Sequence, residues 1–282
     1  MPMNIKALQQ LNDAPPWDWA DGTAHALLEV LRNPAASEPE LALAVELAGN
    51  SVVIDDELVI ALLAVVRSAD APEQTRGQAA LSFGPILELA QTDGFDDADS
   101  VPISERTFHE LQRELRALYL DAKTPKLVRR RILEASVRAP EAWHAGAISA
   151  AYASGDEEWQ LTSVFAMRYV GGFDEQIVSS LSTTSPRIHA EAIWAAGAWS
   201  IDAAWQHVVD LVSSERTDES LLLPAIVAVG EIRPTEAPEV LAHLEDSEDP
   251  DIALAVLEAT SMTGEWSGGD DEVDDLDEET PA

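Results

Sequence analysis

Apolar residues along this chain gather into short runs with helical spacing, and polar punctuation divides the runs at a nearly constant interval. In DDELVIALLAVVRS, Leu58, Leu62, Val65 and Val66 fall at i, i+4, i+7 and i+8, one face of a helix that opens at Asp55. ERTFHELQRELRALYLDA places Phe108, Leu111, Leu115, Leu118 and Tyr119 along one side in the same way. Helix-starting Pro or Asp residues precede such runs at Pro39, Pro72, Pro125, Asp156, Pro186, Asp218 and Pro250, with separations of 33, 53, 31, 30, 32 and 32. Proline suits the first helical turn because the N–H it lacks would have no intrahelical acceptor there. A period of this length predicts stacked helical units, each burying its face on its neighbours.

The pattern predicts helical hairpins throughout. Thr23 is expected to N-cap a helix over 23–33, which pairs with 39–49. Later helices are expected at 125–139, 141–154, 156–171, 174–183, 186–199, 202–214, 218–232, 235–245 and 250–263. The 53-residue interval contains the polar stretch QTDGFDDADSVP, which places an insertion at about 91–103. In four units a small residue lies ten positions after the entry residue (Ala135, Ala166, Ala196, Ala228), where it lets helix axes approach closely. Three regions follow: an N-terminal segment, 1–22, whose Trp17 and Trp19 cap the solenoid; the repeat body, 23–263; and an acidic disordered tail, 264–282.

The Pro or Asp entry residues, the small residues and the glycines near helix ends (Gly84, Gly197, Gly230) resemble the HEAT superfamily, in particular the short HEAT-like repeats of the phycobilisome-lyase type. The resemblance covers residues 23–263. It implies an all-α fold, a right-handed α-solenoid of stacked helical hairpins, with a concave face lined by the second helices. Two functions are compatible with it. One is a non-enzymatic scaffold that binds a protein or peptide on the concave face, centred on 123–205. The other is a HEAT-like enzyme or chromophore-handling factor of the bilin-lyase type, although no residue here singles out a bilin site. HEAT-type deoxyhypusine hydroxylases need several His-Glu pairs for a di-iron centre, and this chain has only His109-Glu110.

Charge narrows the partners. Asp and Glu number 52 against 17 Lys and Arg, a formal net charge of −35. Such a surface repels nucleic acid and anionic membranes, so both are disfavoured and a protein or peptide partner is expected. The acidity is read as a solubilising surface, as one made for a basic partner, or as nucleic-acid mimicry. The N-terminus lacks a signal-peptide core and no apolar run reaches membrane-spanning length, so a cytoplasmic location is expected. With no cysteine, disulfides, thiolate metal sites and cysteine nucleophiles are excluded.

Candidate chemistry is sparse. Nine of the basic residues lie between Arg106 and Arg138, among them Arg130, Arg131 and Arg138, with Arg130, Glu134 and Arg138 spaced to share a helix face. Two roles stand open for this island: internal pairing with carboxylates such as Glu110, Glu114 and Glu134, or binding an acidic partner, a phosphate or the chain's own tail. Of eight tryptophans, five lie in 143–205, and Trp159, Trp194 and Trp199 are expected as partner-binding anchors beside the arginines. The six histidines form neither HxxxH nor HxH. Asp93, Asp96, Asp97 and Asp99 miss the EF-hand pattern, with Ala98 and Ser104 where Gly and Glu are needed. No catalytic residue, metal site or cofactor is assigned.

Overall fold

A computed structural model describes residues 3–97, 100–214 and 216–261 of the chain. All regular structure among them is helical, and the chain divides into two compact units between Gly172 and Phe173. Each unit is a stack of helical hairpins, the α-solenoid arrangement. The expected acidic tail at 264–282, with Trp266 and any fold-back onto 123–138, lies outside the described residues. No helix among the described residues is long and apolar enough to cross a membrane.

The first unit contains α1 (Ile5–Asn12), α2 (Thr23–Leu31), α3 (Glu38–Ala48), α4 (Asp56–Arg67), α5 (Glu73–Leu81), α6 (Gly84–Asp93), α7 (Glu105–Leu120), α8 (Lys126–Ser136), α9 (Ala142–Tyr152) and α10 (Glu157–Met167). Alternate helices pack on each other as well as on their hairpin partners: α1 on α3, α3 on α5, α5 on α8, and α8 on α10. A second row runs α2, α4, α7. The second unit contains α11 (Asp174–Ser180), α12 (Pro186–Ala198), α13 (Trp205–Val212), α14 (Glu219–Ile232), α15 (Ala237–Leu241) and α16 (Pro250–Ser261). There α12 packs on α14 and α14 on α16, while α11, α13 and α15 pair with α12, α14 and α16 respectively.

The periodic entry residues all lie at helix starts. Pro72, Pro125, Asp156 and Asp218 are N-caps, and Pro39, Pro186 and Pro250 fall in the first turn. The Asp156 carboxylate accepts the Trp159 N–H at 3.1 Å, which satisfies one of the helix's orphan donors. The four small residues ten positions on are all buried. Two glycines mark close helix crossings in the second unit. A Cβ at Gly197 would lie 3.1 Å from Ala228 Cα, and one at Gly230 would lie 2.9 Å from Ala259 Cα.

Two local expectations are corrected. Thr23 does not cap α2: Gly22, with φ +85°, takes that position, and the Thr23 hydroxyl donates back to the Ala20 carbonyl. Trp17 caps nothing, being 79% exposed; the end of the core is covered by α1, through fully buried Leu8. Trp19 holds the segment in place by donating its indole N–H to the carbonyls of Leu11 and Ala14, at 3.0 and 3.2 Å. The long interval contains an additional helix, α6, which packs on α8 and precedes the polar stretch.

Candidate functional site

Arg130 occupies the middle of α8, on the side that faces α10. It is only 4% exposed. Its Nε donates to Thr162 Oγ1 at 2.9 Å, and its guanidinium pairs with Glu158 and, at 3.8 Å, with Glu134. Glu134, itself buried, accepts from Thr162 Oγ1 at 2.6 Å and from Arg131 at 2.6 Å. These five side chains close a charge-assisted network between α8 and α10 in which each buried ionic group has a partner. Arg130, expected as a partner contact, is therefore corrected to an interior bridge: it has no surface left to offer. Arg131 retains partial exposure but spends a donor on Glu134.

Arg138 departs from the predicted face because α8 ends at Ser136, two residues short of it. It turns toward α6, pairs with Glu88, and stacks its guanidinium 5.3 Å from the Tyr169 ring and 5.9 Å from Phe165. Arg129 fills a comparable role, donating to the Tyr119 carbonyl at 2.8 Å with its guanidinium over both Tyr119 and Trp159. Trp159 thus belongs to an internal cluster with Tyr119 and Trp143. Lys126 pairs with Asp156 at 2.5 Å, and that bond, first, with the Trp159 N–H holds the Asp156 carboxyl below the ordinary range. Lys126, Arg129, Arg130 and Arg138 thus join helices of the first unit, while Arg106, Arg113, Arg116 and Lys123 are exposed. Of the carboxylates expected beside the island, Glu134 joins the network, while Glu114 pairs with Arg67 of α4.

Trp194 and Trp199 lie on α12 and its C-terminal cap, in the second unit. Trp194 is half-buried, while Trp199 is 43% exposed. The helix ends in a Schellman turn: Ser200 N–H bonds the Gly197 carbonyl at 2.7 Å, and Ile201 N–H bonds that of Ala196 at 2.9 Å. Ser200 adopts φ +47°, a conformation usually left to glycine, and its hydroxyl anchors to the Glu231 carbonyl at 2.8 Å. The turn and the start of α11 border a depression of about 660 Å³ lined by Asp174, Glu175, Val178, Trp199, Ile201 and Asp202 among others.

Beside it, Arg233 stacks 4.9 Å above the Trp205 ring and bonds Asp202 at 2.7 Å. His189 and His207, 18 residues apart, meet with Nε2 atoms 2.7 Å apart, one imidazole donating to the other. Burial holds both below the ordinary histidine range, with His207 adding to the effect on His189. The sequence carried no sign of this contact, since the two lie on different helices with no motif spacing. No group of three or more His, Asp or Glu among the described residues is arranged to hold a metal ion.

Charge is distributed unequally between the units. Residues 173–282 carry 26 Asp and Glu against three Lys and Arg, a formal −23, while residues 1–172 carry 26 against 14, a formal −12.

The fold and these surfaces define a helical-repeat protein. No protein-family model and no curated protein matches the chain. Among solved structures it is similar to an engineered protein, at 18% identity and a TM-score of 0.47, over 92% of this chain and 71% of that one. A second engineered protein is similar at 20% identity and a TM-score of 0.43, over 72% and 95%. Human deoxyhypusine hydroxylase in complex with glycerol is similar at 14% identity and a TM-score of 0.39, over 91% and 88%.

Proposed function

We propose that this chain is a non-enzymatic, HEAT-like helical-repeat protein that binds a basic protein or peptide. The two-helix units and the Pro or Asp entry at intervals of 30 to 33 residues, with one interval of 53, support the HEAT-like assignment. The observation that carries the function is the fate of the positive charge. Arg130, Arg131, Arg138 and Lys126 are engaged by carboxylates of their own chain, which leaves the exposed Arg106, Arg113, Arg116 and Lys123 as the island's surface cations, a small positive area on a chain of net charge −35. What the molecule presents is uncompensated negative charge, concentrated in residues 173–282. Such a surface raises the local concentration of cationic partners and accelerates their association.

Affinity capture with the full chain as bait, followed by identification of the captured proteins and their isoelectric points, tests the reading. A discrete basic partner released by salt is expected. A purified chain that arrives coloured, or that binds a tetrapyrrole stoichiometrically, would instead favour the lyase-type alternative.

A further inference from the structure

We infer that the outward face of α7 is a docking surface for an acidic peptide segment that carries an apolar residue among its carboxylates. The inference does not depend on the basic partner proposed above, because it concerns a separate surface of opposite sign. Helical spacing gives α7 two seams. One contains Phe108, Leu111, Leu115 and Tyr119 and is buried, as α7 packs on α4 and α8. On the outward side, Arg106, His109, Arg113, Arg116 and Leu120 recur at alternating intervals of three and four residues. Lys123 continues the spacing just beyond the helix end, and all six residues are exposed. No carboxylate interrupts this seam. Of the acidic residues on its flanks, Glu114 is taken up by Arg67 of α4 and Glu105 lies 3.8 Å from His109.

The charges of this seam are left over once the fold has used the rest. Arg67, Arg130 and Arg138 bridge helices of the same unit by pairing with carboxylates. Asp56 partly compensates Arg106. The side chains of Arg113, Arg116 and Lys123 have no hydrogen bond or ion pair among the described residues. Arg113 and Arg116 lie one turn apart, and Leu120, 64% exposed, lies about one turn further on. The complementary ligand therefore brings carboxylates to the two guanidinium groups and an apolar side chain to Leu120. Arginine's planar fork receives a carboxylate with two parallel hydrogen bonds. A single-stranded nucleic acid would supply the anions but no aliphatic group shaped for Leu120. The negative charge of the whole chain does not forbid such a contact, because at physiological ionic strength the screening length is about 8 Å and the nearest cations dominate. The contact is accordingly salt-sensitive.

The test uses the full chain and fluorescence anisotropy of a capped, dye-labelled peptide built from repeated Leu-Glu-Glu-Ala units; its control has every Glu replaced by the neutral isostere Gln. The Glu peptide should bind saturably at low salt and be released by about 0.5 M NaCl, and the Gln peptide should not bind. Arg113→Gln with Arg116→Gln should weaken binding by about fivefold, the size of two exposed charge pairs, and Leu120→Ser should weaken it by at least about twofold. Lys6→Gln with Arg216→Gln removes the same charge from exposed positions elsewhere and should change nothing. Circular dichroism checks that each variant is folded. Absence of saturable binding, equal binding of the Gln peptide, or equal weakening by the Lys6 and Arg216 pair would overturn the inference. So would full binding by Leu120→Ser, or a single-stranded oligonucleotide bound as tightly as the Glu peptide. Capture of a basic partner is read in a separate experiment, so the function proposed above stands or falls independently of these results.

Discussion

His144 should make the stability of the first unit depend on pH in a way that can be isolated by one substitution. Its side chain is fully buried at the start of α9. Nδ1 accepts the Glu141 N–H at 2.8 Å, which requires that nitrogen to be unprotonated, so the proton sits on Nε2 and is donated to Ser136 Oγ at 3.0 Å. Burial pushes the imidazole down to about 4. Protonation would set a new N–H against the Glu141 N–H and place a charge at the positive end of a helix. Because the folded form binds the proton less readily than the unfolded chain, the contribution of a neutral His144 is complete above pH 6.5 and is lost as pH falls toward 4.

Replacing His144 with Phe keeps a ring in the space but strands the Glu141 N–H and removes a partner from Ser136. At pH 7 this should cost about 2–4 kcal/mol. Lowering the pH to about 4.5 should remove about 2–3 kcal/mol from the wild type through His144 alone, and nothing from the variant at that position. Carboxylate titration is common to both proteins and cancels in the difference. Guanidinium unfolding of the pair at the two pH values reads the effect, and imidazole resonances locate the titration. A stability difference that stays constant between the two pH values, or a His144 midpoint near 6.5, would refute the reasoning.

Three further outcomes follow from the packing and charge. Glu134→Ala should cost about 3 kcal/mol by removing the buried carboxylate that Arg130, Arg131 and Thr162 share, and adding Arg130→Met should cost less than the two single changes summed; a strictly additive double-variant cycle would show that the network is not coupled. Gly230→Ala should destabilise the second unit by about 1–3 kcal/mol, since the new methyl would overlap Ala259, and an unchanged denaturation midpoint would mean that α14 and α16 separate without cost. Raising NaCl from about 0.1 to 1 M shortens the screening length from about 10 to 3 Å and should raise the melting temperature of a chain carrying −35; a fall would contradict the charge argument.

The repeat body was legible because a Pro or Asp entry and a buried face recur at each unit, and local signals of that kind survive in the sequence. Failures occurred where the tertiary partner decided the outcome. The entry at Pro72 gave no sign of a second helix start before the polar stretch, yet the chain breaks at Ser82–Phe83 and restarts at Gly84, with Phe83 fully buried. Arg130 looked like a surface cation, and its burial depends on Thr162 and Glu158, which lie about one repeat later. Arg138 and Glu134 fit a shared helix face only if the helix continues beyond Ser136, and it does not.

Structural roles for Arg130, Arg131 and Arg138, with the acidic surface serving the partner, are tested most directly by parallel affinity capture with two folded baits: the wild type and the Arg130→Gln/Arg131→Gln/Arg138→Gln variant, each checked by circular dichroism. Both should retain the same basic partner and release it in about 0.5 M NaCl. Loss of the partner from a folded arginine variant would contradict the assignment of these arginines to the fold.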